Sequence, residues 1–596
     1  MTTTPGTFTR ALEALRIDGP KRALAVLTRG LRGVVVSPGA GAVAAGPVPA
    51  AKPVVVALPS TSGAPLKISI LMPVYNTPAD VLEAAIKSVL VQSFGRWELC
   101  ICDDHSSAKE TLRVLEAYRG FDPRIKITRA PANLHIARAT NLAAEFATGQ
   151  FVGFLDHDDE LLPHALATMA GAIEAHPDAD VVYSDEDKLE ENGSLSEPYL
   201  KPDWSPEHLT SVAYILHFML VRKSLFFELG GLRHEFTGAQ DYDLSLRATA
   251  RARRVVHVPK VLYHWRKIAG SAAAVVDAKP QALINAGLAV RDVVCAEDPG
   301  AAVSPGLFTG SFRVEWPVDP DRPVTLLMLT DSRSKFVEGR GEILMVKHAI
   351  DSILTRSTFK NIRIVVLDNG NMLPDVEEEL VSKGVTVKTY SFDPPFNFPR
   401  KINAAFDLVE TEDVIILNDD IEVISEDWIE ALLSHSRRER IGAVGARLLY
   451  TNDRIQHAGI VMGVNGPTTH IFHNQPKDDI AYCGYSHLVR NYSAVTGAVL
   501  ATRMSLVREI GGFNPDLAID YNDIDFCLRL GELGYRIVYT PFATLYHFEG
   551  SSLVRHSVSQ PDQSAFLRRW GHLVDADPYY NPNLPRDRTD CAVGAW

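Results

Sequence analysis

Acidic side chains are concentrated where one apolar stretch of the sequence ends. The stretch Phe151–Leu155 is apolar and is followed directly by Asp156-His157-Asp158-Asp159-Glu160. The apolar run predicts a buried strand, and the carboxyl ends of strands in an open parallel sheet are where ligands bind. Neighbouring carboxylates repel one another unless a cation lies among them, and oxygen ligands suit Mn²⁺ or Mg²⁺. The cluster therefore predicts a divalent-cation site, and an acidic turn that caps the next helix is the alternative.

Two further polar motifs can meet this cluster in one cleft. Asp241-Tyr242-Asp243 opens a predicted helix, and Tyr263-His264 follows another apolar strand. Carboxylates and a histidine can hold a metal that bridges to a diphosphate, and a further carboxylate can take a proton from an attacking hydroxyl. A single histidine such as His264 is more often structural, so its role depends on whether the pattern recurs.

The pattern does recur in the C-terminal half of the chain. Five motifs of the first half, Gly230-Gly231-Leu232, Asp241-Tyr242-Asp243, Leu246-Arg247, Pro259 and Tyr263-His264, are echoed by Gly511-Gly512-Phe513, Asp523-Ile524-Asp525, Leu528-Arg529, Pro541 and Tyr546-His547. The intervals from the second aspartate to the arginine, and from the arginine to the proline, are the same in both copies. A repeat that keeps residue types and intervals together predicts two domains of one fold.

Strands and helices alternate in both halves. The apolar strand Ile68–Val74 is followed by apolar residues at helical spacing, and the alternation continues to Phe151–Leu155. It restarts with Val324–Leu329 and reaches Val414–Leu417, which ends in Asn418-Asp419-Asp420. This order predicts the α/β class, with two tandem Rossmann-like domains whose mostly parallel sheets are flanked by helices.

Composition and the spacing of apolar residues divide the chain into six segments. The first is basic with leucines at helical spacing, which fits a helix on an anionic membrane surface or, equally, one docked on its own protein or solvated. The predicted segments are this basic one at 1–32, an Ala/Pro/Gly linker at 33–66, a first domain at 67–290, a linker at 291–322, a second domain at 323–565 and a tail at 566–596.

Charge and cysteine usage limit the partners and the compartment. The net charge of −13 argues against nucleic acid as a partner, since phosphate backbones demand a basic face, and an anionic substrate then needs a local cation. The six cysteines have neither metal-site nor disulfide-framework spacing. With no signal-peptide pattern at the start and no convincing membrane span, we expect a cytoplasmic protein, either free or peripheral at the inner face of the plasma membrane.

With these motifs, the sequence resembles two tandem GT-A domains of inverting glycosyltransferase family 2, of the kind found in O-antigen and other bacterial surface-polysaccharide clusters. The resemblance covers 67–290 and, more loosely, 323–560. Ile70-Leu71-Met72-Pro73-Val74-Tyr75-Asn76 resembles the family's first strand and nucleotide loop, and Glu98–Ser106 resembles its second strand. The resemblance implies donor binding by Pro73 and by Tyr75 against the base, with Asp103 or Asp104 recognising a uracil or thymine ring.

The same resemblance implies the chemistry of the first domain. Asp156-His157-Asp158 occupies the family's Asp-x-Asp position, so that Asp156 contacts donor and metal and Asp158 is a direct metal ligand. Asp241 is implied as the general base, although Gln240 replaces the usual Glu before it. His264-Trp265-Arg266 resembles the distal motif that completes the diphosphate and metal site. Two other segments, Tyr183–Asp187 and Lys201–Trp204, either line the donor-sugar or acceptor side or are ordinary surface loops.

The second domain departs from the family pattern. Asp368 is its one acid on the donor side, and Asn418 stands where the first acid of Asp-x-Asp belongs. The resemblance then implies Asp420 as the main metal ligand with His547 as helper, and Asp523 as the base. Because a neutral ligand weakens metal binding without abolishing it, the second domain is either an active transferase with a different donor or a module that holds the growing chain.

The implied function is transfer of a sugar from a nucleotide-diphosphate sugar, UDP- or dTDP-linked, to a hydroxyl of a lipid-linked or polymeric glycan. A bifunctional enzyme and a first domain that works with a non-catalytic second domain both remain open. A sugar-nucleotidyltransferase is a further alternative. That enzyme needs a Gly-rich loop with Lys or Arg after the first strand, and the loop here is Tyr75-Asn76-Thr77-Pro78.

Overall fold

In the computed structural model, the described part of the chain comprises residues 65–267, 280–392, 394–480, 482–548 and 558–594. The predicted basic segment 1–32 and nearly all of the predicted linker 33–66 lie outside it. None of the helices in the described ranges combines the length and the hydropathy needed to cross a membrane.

The first domain is built on one large sheet and one hairpin. Its strands are β1 Ile68–Val74, β2 Trp97–Asp103, β3 Ile125–Arg129, β4 Phe151–Phe154, β5 Glu160–Leu161, β6 Val181–Leu189, β7 Leu195–Tyr199, β8 Met219–Arg222, β9 Val255–Arg266, β10 Ala302–Pro305 and β11 Phe312–Glu315. Its helices are α1 Ala79–Leu90, α2 Lys109–Tyr118, α3 His135–Ala144, α4 Ala165–Ala175, α5 Pro206–Ser211, α6 Lys223–Glu228, α7 Gln240–Arg251 and α8 Pro280–Glu297, with a 3₁₀ turn at His234–Phe236.

The second domain repeats this plan with extra hairpins. Its strands are β12 Val324–Thr330, β13 Ser334–Val337, β14 Gly341–Leu344, β15 Ile362–Asp368, β16 Thr386–Thr389, β17 Asp413–Asn418, β18 Ile421–Val423, β19 Ile441–Leu449, β20 Ile455–His457, β21 Ile460–Met462, β22 Thr468–His470, β23 Arg490–Tyr492, β24 Val499–Arg503 and β25 Arg536–His547. Its helices are α9 Met345–Arg356, α10 Pro374–Ser382, α11 Phe398–Phe406, α12 Trp428–Ser436, α13 Met504–Glu509, α14 Asn522–Glu532 and α15 Gln560–Trp570, with 3₁₀ turns at Tyr482–His487 and Gly571–Leu573.

The two large sheets have the same strand order. The first runs β3-β2-β1-β4-β8-β6-β9-β5, and the second runs β16-β15-β12-β17-β24-β19-β25-β18. In each sheet the first four strands pair in parallel, while the later strands pair in both directions. The predicted α/β class with two domains of one fold is confirmed, and parallel pairing dominates only the first half of each sheet. The order reverses between β1 and β4, which makes the carboxyl ends of these strands the expected binding crevice.

Side chains of the first strand alternate between two cores. Ile68, Ile70 and Met72 pack with the buried face of α1, whereas Leu71 packs on the opposite side with α3. Strand side chains point to opposite faces in turn, so a wholly apolar strand must be covered on both sides. Burial on both faces fixes the register of β1 and therefore the position of the loop that follows it.

The glycines and arginines of the internal repeat have a structural role. Arg247 bonds the carboxylate of Asp243 at 2.6 Å and donates to the carbonyl of Gly231 at 2.9 Å. In the second domain Arg529 bonds Asp525 at 2.7 Å and donates to the carbonyl of Gly512 at 2.6 Å. The repeated Asp, Arg and Gly thus tie α7 and α14 to the glycine turn before each helix.

The predicted linker 291–322 and the predicted tail 566–596 both pack on the domains. Within 291–322, the end of α8 and the hairpin β10–β11 place Val294, Phe312, Val314 and Trp316 in the core of the first domain. The tail packs on the second domain, where a carboxylate oxygen of Asp577 accepts the backbone N–H of Met462 at 2.7 Å.

A buried ion cluster joins the two domains. Glu207 of the first domain is 3% exposed and lies 2.8 Å from Arg536 and 2.9 Å from Arg438. Its second oxygen accepts the side-chain N–H of Asn491 at 2.8 Å. Although burial alone raises a carboxyl pKa, the two arginines lower the pKa of Glu207 to about 2. The glutamate is therefore ionised at neutral pH and holds two elements of the second domain.

Candidate active site

The loops after β1, β2 and β3 meet at one edge of the first sheet. Asp104 donates its backbone N–H to the carbonyl of Val74 at 2.8 Å, and Ala130 donates to the carbonyl of Asp103 at 2.8 Å. Tyr75, the first residue after β1, is 46% exposed and offers a ring face for stacking. The structure thus gathers the four predicted donor-binding residues of this edge, Pro73, Tyr75, Asp103 and Asp104.

The two carboxylates of this edge are buried and order the surrounding loops. One oxygen of Asp103 accepts the backbone N–H of Ser106 at 2.9 Å, and the other lies 3.5 Å from Arg129. An oxygen of Asp104 accepts the backbone N–H of Leu134 at 2.6 Å. The carboxylates are therefore held in fixed positions before any ligand arrives, which lowers the entropic cost of binding.

The acidic cluster after β4 lies beside His217, a residue that no sequence motif marks. Ligand atoms of Asp156, Asp159 and His217 lie within 4.8 Å of one another. Asp159 is fixed by the hydroxyl of Tyr263 at 2.5 Å and by the backbone N–H of Arg266 at 2.8 Å. The structure therefore brings the predicted Asp156 together with Asp159, whose carboxylate oxygens already accept hydrogen bonds from Tyr263 and Arg266.

Asp156 lies close to other carboxylates. Burial raises the pKa of Asp156, and the carboxylates of Asp158 and Asp241 raise it further. Asp158, the predicted direct metal ligand, is therefore near enough to act on Asp156, and its own backbone carbonyl accepts from the Arg266 side chain at 2.8 Å. A divalent cation among these carboxylates would relieve their repulsion. The residues present therefore fit the predicted metal.

His217 supplies a positive charge from the other side of the cluster. Its ring stacks on Tyr263 with centroids 4.8 Å apart, and its Nδ1 lies 3.5 Å from a carboxylate oxygen of Glu186. Burial alone lowers a histidine pKa, but Glu186, with Asp156 and Asp159, raises the pKa of His217 to about 9. This raised pKa makes His217 a counter-ion for the carboxylates at neutral pH in the absence of a cation, and its ring is also placed where it could be a metal ligand.

Both predicted metal-binding histidines are oriented through Nδ1. Nδ1 of His264 lies 2.5 Å from a carboxylate oxygen of Asp187, and Nδ1 of His547 lies 2.6 Å from the amide oxygen of Gln456. An oxygen acceptor requires the proton on Nδ1, which leaves Nε2 as the ligand atom. This arrangement is typical of metal-binding histidines and fits the predicted role of His264, whereas Nε2 of His547 already contacts Asp420.

The predicted base Asp241 faces the same cavity as Asp156. The cavity lies at the carboxyl ends of β1 and β4 and is lined by Asp156, His217, Gln240, Asp241 and Tyr263 among others. Asp241 stands in the first turn of α7, where one of its oxygens accepts the backbone N–H of Tyr242 at 2.8 Å. The structure therefore brings the candidate base and the candidate metal-binding acid to one point, although they are far apart in sequence.

In the second domain, the predicted metal ligands are in direct contact. Nε2 of His547 lies 3.0 Å from Asp420 Oδ1 and 3.1 Å from the Asn418 amide. Asp420 has a lowered pKa because His547 outweighs the effect of burial. Asp523 begins α14 as Asp241 begins α7, and burial raises the pKa of Asp523. Contact in the second domain is therefore shown for Asp420, His547 and Asn418, whereas Asp523 accepts the backbone N–H of Gly497 at 2.8 Å.

The donor side of the second domain differs more strongly. One oxygen of Asp368 accepts three backbone N–H groups of its own loop, from Gly370, Asn371 and Met372, and the other accepts the hydroxyl of Ser332 at 2.7 Å. The buried amine of Lys401 donates to Thr330 O and to Asn369 Oδ1, both at 2.7 Å. Burial lowers the pKa of Lys401 to about 8. The space between the strand ends here holds protein side chains.

The residues that support the site are only partly indicated by sequence motifs. Glu186 and Asp187 lie in the segment Tyr183–Asp187, for which the sequence leaves a site lining and a surface loop as alternatives, but no sequence motif pairs them with His217 and His264. Gln456 stands in no motif of the repeat. Which buried acid lies next to which histidine is decided only when the strands are placed side by side.

Comparisons with known proteins agree with this geometry. Residues 69–230 match the family model described as Glycosyl transferase family 2, and residues 414–571 match the model described as Glycosyl transferase family group 2. The two matched ranges contain most of the candidate residues of the first and second sites, respectively.

Three curated relatives illustrate the similarity. Uncharacterized protein y4gI of Sinorhizobium fredii is 37% identical over 89% of this chain and 58% of its own length. The O-antigen biosynthesis protein RfbC of Myxococcus xanthus is 33% identical over 88% of this chain and 41% of its own length. The UDP-Glc:alpha-D-GlcNAc-diphosphoundecaprenol beta-1,3-glucosyltransferase WfgD of Escherichia coli is 42% identical over 15% of this chain and 35% of its own length. The chain therefore spans less than two thirds of each of these relatives.

Proposed function

Because its two halves both belong to glycosyltransferase family 2, we propose that this chain transfers a sugar from a nucleotide-diphosphate sugar to a hydroxyl of a growing bacterial surface glycan. The observation that carries the proposal is the meeting of Asp156 and Asp241, from two different elements, in one cavity beside the β1 loop. Loops that suit a nucleotide, acids that suit a metal, and a separate carboxylate are the parts that such a transfer needs.

In the proposed reaction, the acceptor hydroxyl attacks the anomeric carbon from the face opposite the nucleotide. Asp241 takes the hydroxyl proton as the new carbon–oxygen bond forms, and the bond to the diphosphate breaks with its electron pair staying on the diphosphate. Tyr75, Asp103 and Asp104 hold the nucleoside. A single displacement of this kind inverts the configuration at the anomeric carbon.

Asp156, Asp158 and His264 would hold Mn²⁺ or Mg²⁺. When bound, the metal supplies positive charge for the departing diphosphate. The ring of His217 lies beside Asp156 and Asp159 and helps to keep these carboxylates in place. The hydrogen bonds that Tyr263 and Arg266 donate to Asp159 also hold its carboxylate in place.

The proposed donors are UDP- and dTDP-sugars, and the proposed acceptor is a lipid-linked or polymeric glycan. The relatives that act in O-antigen synthesis and on a diphosphoundecaprenol-linked sugar support this class of acceptor. Such an acceptor places the protein at the cytoplasmic face of the membrane, and the basic segment 1–32 is the proposed contact.

A second candidate concerns the second domain alone. Asp368 is enclosed by its own loop and the Lys401 amine lies between the strand ends, whereas Asp103 accepts one backbone N–H. These contacts favour a second domain that holds the acceptor glycan and does not bind a nucleotide. The convergence of Asp420 and His547 favours a second transferase site instead, so the two candidates make opposite predictions for nucleotide binding.

The test is a transfer assay on the purified chain. We would incubate it with a panel of UDP- and dTDP-sugars, a short-chain diphosphate-linked lipid acceptor and Mn²⁺, and measure nucleotide release and glycolipid product. The expected result is release that requires acceptor, is abolished by EDTA and returns when Mn²⁺ is restored. Absence of product with every donor and with membrane glycolipid extracts as acceptor would overturn the proposal.

A further inference from the structure

Three consecutive carboxylates of β6 each hold different partners around the first site. Glu186 lies 2.8 Å from the amine of Lys201 and 3.5 Å from His217, and Asp187 bonds His264. Asp185, the first of the three, is fully buried and contacts His257 at 2.9 Å. The pairing of β6 with β9 shifts register on both sides of Asp185, and such bulges re-aim side chains beside sites.

The C-terminal tail reaches this same group of side chains. The amide nitrogen of Asn581 donates to Asp185 Oδ2 at 2.9 Å and to the carbonyl of Lys201 at 2.8 Å. Asn581 is 2% exposed, so both hydrogen bonds are shielded from water. A further tail contact joins the carbonyl of Pro578 to the backbone N–H of Asp203 at 2.8 Å.

The tail itself is held by the second domain. The Asp577 carboxylate accepts the N–H of Met462 at 2.7 Å, and the carbonyl of Thr589 accepts the N–H of Phe472 at 2.7 Å. Tyr580, next to Asn581, is buried in the core of the second domain. Asn581 is therefore presented to the first domain by a segment that the second domain fixes at both ends.

A chain of buried contacts connects Asn581 to the acidic cluster. Lys201, held by Asn581, has no exposed side-chain surface and bonds both Glu186 and the carbonyl of His217. Glu186 also accepts the backbone N–H of His217 at 3.2 Å. The ring of His217 in turn groups with Asp156 and Asp159.

We propose that Asn581 is a positioning residue of the first domain's site, through which the second domain and its tail set Lys201, Glu186 and His217 beside the catalytic carboxylates. The inference rests on the proposed transfer function. It makes the first domain's chemistry dependent on the second domain whether or not the second domain transfers a sugar itself. Asn581 touches neither donor nor acceptor in this scheme.

The test compares Asn581→Ala with Asn583→Ala in the full chain. Asn583 is an exposed residue of the same tail that bonds the carbonyl of Pro259 at 2.8 Å but none of the buried carboxylates. We expect Asn581→Ala to lower kcat about tenfold or more, because small misplacements of reacting groups are costly. The KM for the nucleotide sugar should stay within about twofold, because the donor loops lie across β4 and β8 from the tail. Asn583→Ala should leave both constants unchanged.

A third variant separates positioning from loss of fold. Asn581→Asp keeps the size of the side chain but faces the buried Asp185 with a second carboxylate, so its kcat should fall further than that of Asn581→Ala. Thermal unfolding of all three variants would show whether the fold is intact. Equal kcat values for Asn581→Ala and Asn583→Ala, or a loss in Asn581→Ala confined to KM, would overturn the inference.

A second measurement keeps this inference distinct from the proposed function. If the wild-type chain transfers no sugar, the proposed function fails, and hydrogen exchange then decides the positioning role. Asn581→Ala should speed exchange at residues 183–187 and 214–219, and Asn583→Ala should not. Unchanged exchange at both segments in Asn581→Ala would overturn the inference by itself.

Discussion

Nδ1 of His264 lies 2.5 Å from a carboxylate oxygen of Asp187, and this contact places a proton on Nδ1 and leaves Nε2 as the ring nitrogen that could bind a metal. The corresponding histidine of the second domain, His547, has the neutral amide of Gln456 in the same role. A carboxylate behind a metal-binding histidine makes it a stronger ligand than an amide does. The two domains therefore differ in expected metal affinity.

Asp187→Asn should weaken Mn²⁺ binding at the first site about tenfold to a hundredfold, because the ligand histidine loses its negative partner. Titration of Mn²⁺ followed by electron paramagnetic resonance gives the affinity directly. Gln456→Ala is the matched control, since it should change only the weaker second site. An unchanged affinity in Asp187→Asn would remove His264 from the metal site.

Asp241→Asn should reduce transfer about a thousandfold or more while the affinity for the nucleotide sugar stays within about twofold. The amide preserves shape but cannot accept the hydroxyl proton. Turnover and calorimetric donor binding on the same preparation check both halves of the statement. Loss of donor binding in the folded variant would contradict the base assignment.

Asp523→Asn is the companion variant for the second domain. If that domain is a transferase, one linkage should disappear from the product while the other remains. If it holds the acceptor, every linkage should persist and only product length or yield should change. Linkage analysis of the product glycan separates these results.

UDP and dTDP titrations with Mn²⁺ should resolve the number of donor sites. Asp158→Ala should abolish one metal-dependent nucleotide site. A second site lost only in Asp420→Ala would establish a second donor site, and a single site in the wild-type chain would favour the acceptor-binding module. Finding no metal-dependent site in either domain would refute the metal-dependent transferase for both.

Glu207→Gln should cost about 3 kcal/mol of stability at pH 7, because removing the buried carboxylate leaves Arg536 without this partner and Arg438 with the exposed Glu297 in its place. Denaturant titration measures this cost. Glu297→Gln is the control, since that glutamate bonds Arg438 from an exposed position and should cost under about 1 kcal/mol.

Wild type and Glu207→Gln should also differ in how their stability depends on pH. Because the pKa of Glu207 is lowered to about 2 in the folded chain, its contribution is complete above the ordinary glutamate pKa of 4.5 and is lost as pH falls toward 2. The stability difference between wild type and Glu207→Gln should therefore shrink between these pH values. A difference that stays constant across the range would show that the carboxylate charge does not hold the interface.

The sequence by itself determined the fold class and the repeat, and it predicts the reacting groups. Apolar strands that end in acids, such as Phe151–Leu155 before Asp156, encode both a buried strand and the position of its polar end. The repeat preserves the intervals that follow Asp243 and Asp525, and the family resemblance implies Asp241 and Asp523 as bases. These patterns are local, so they can be recognised without knowing how strands are placed side by side.

Only the tertiary structure decided which residues support those groups. His217 precedes Arg222 by five residues, and the position five before Arg503 in the second domain is Ala498, so the repeat could not mark His217. Asn581 meets Asp185 across 396 residues of sequence. Contacts of this kind depend on how two domains and a tail pack together, and no local spacing of residues records that packing.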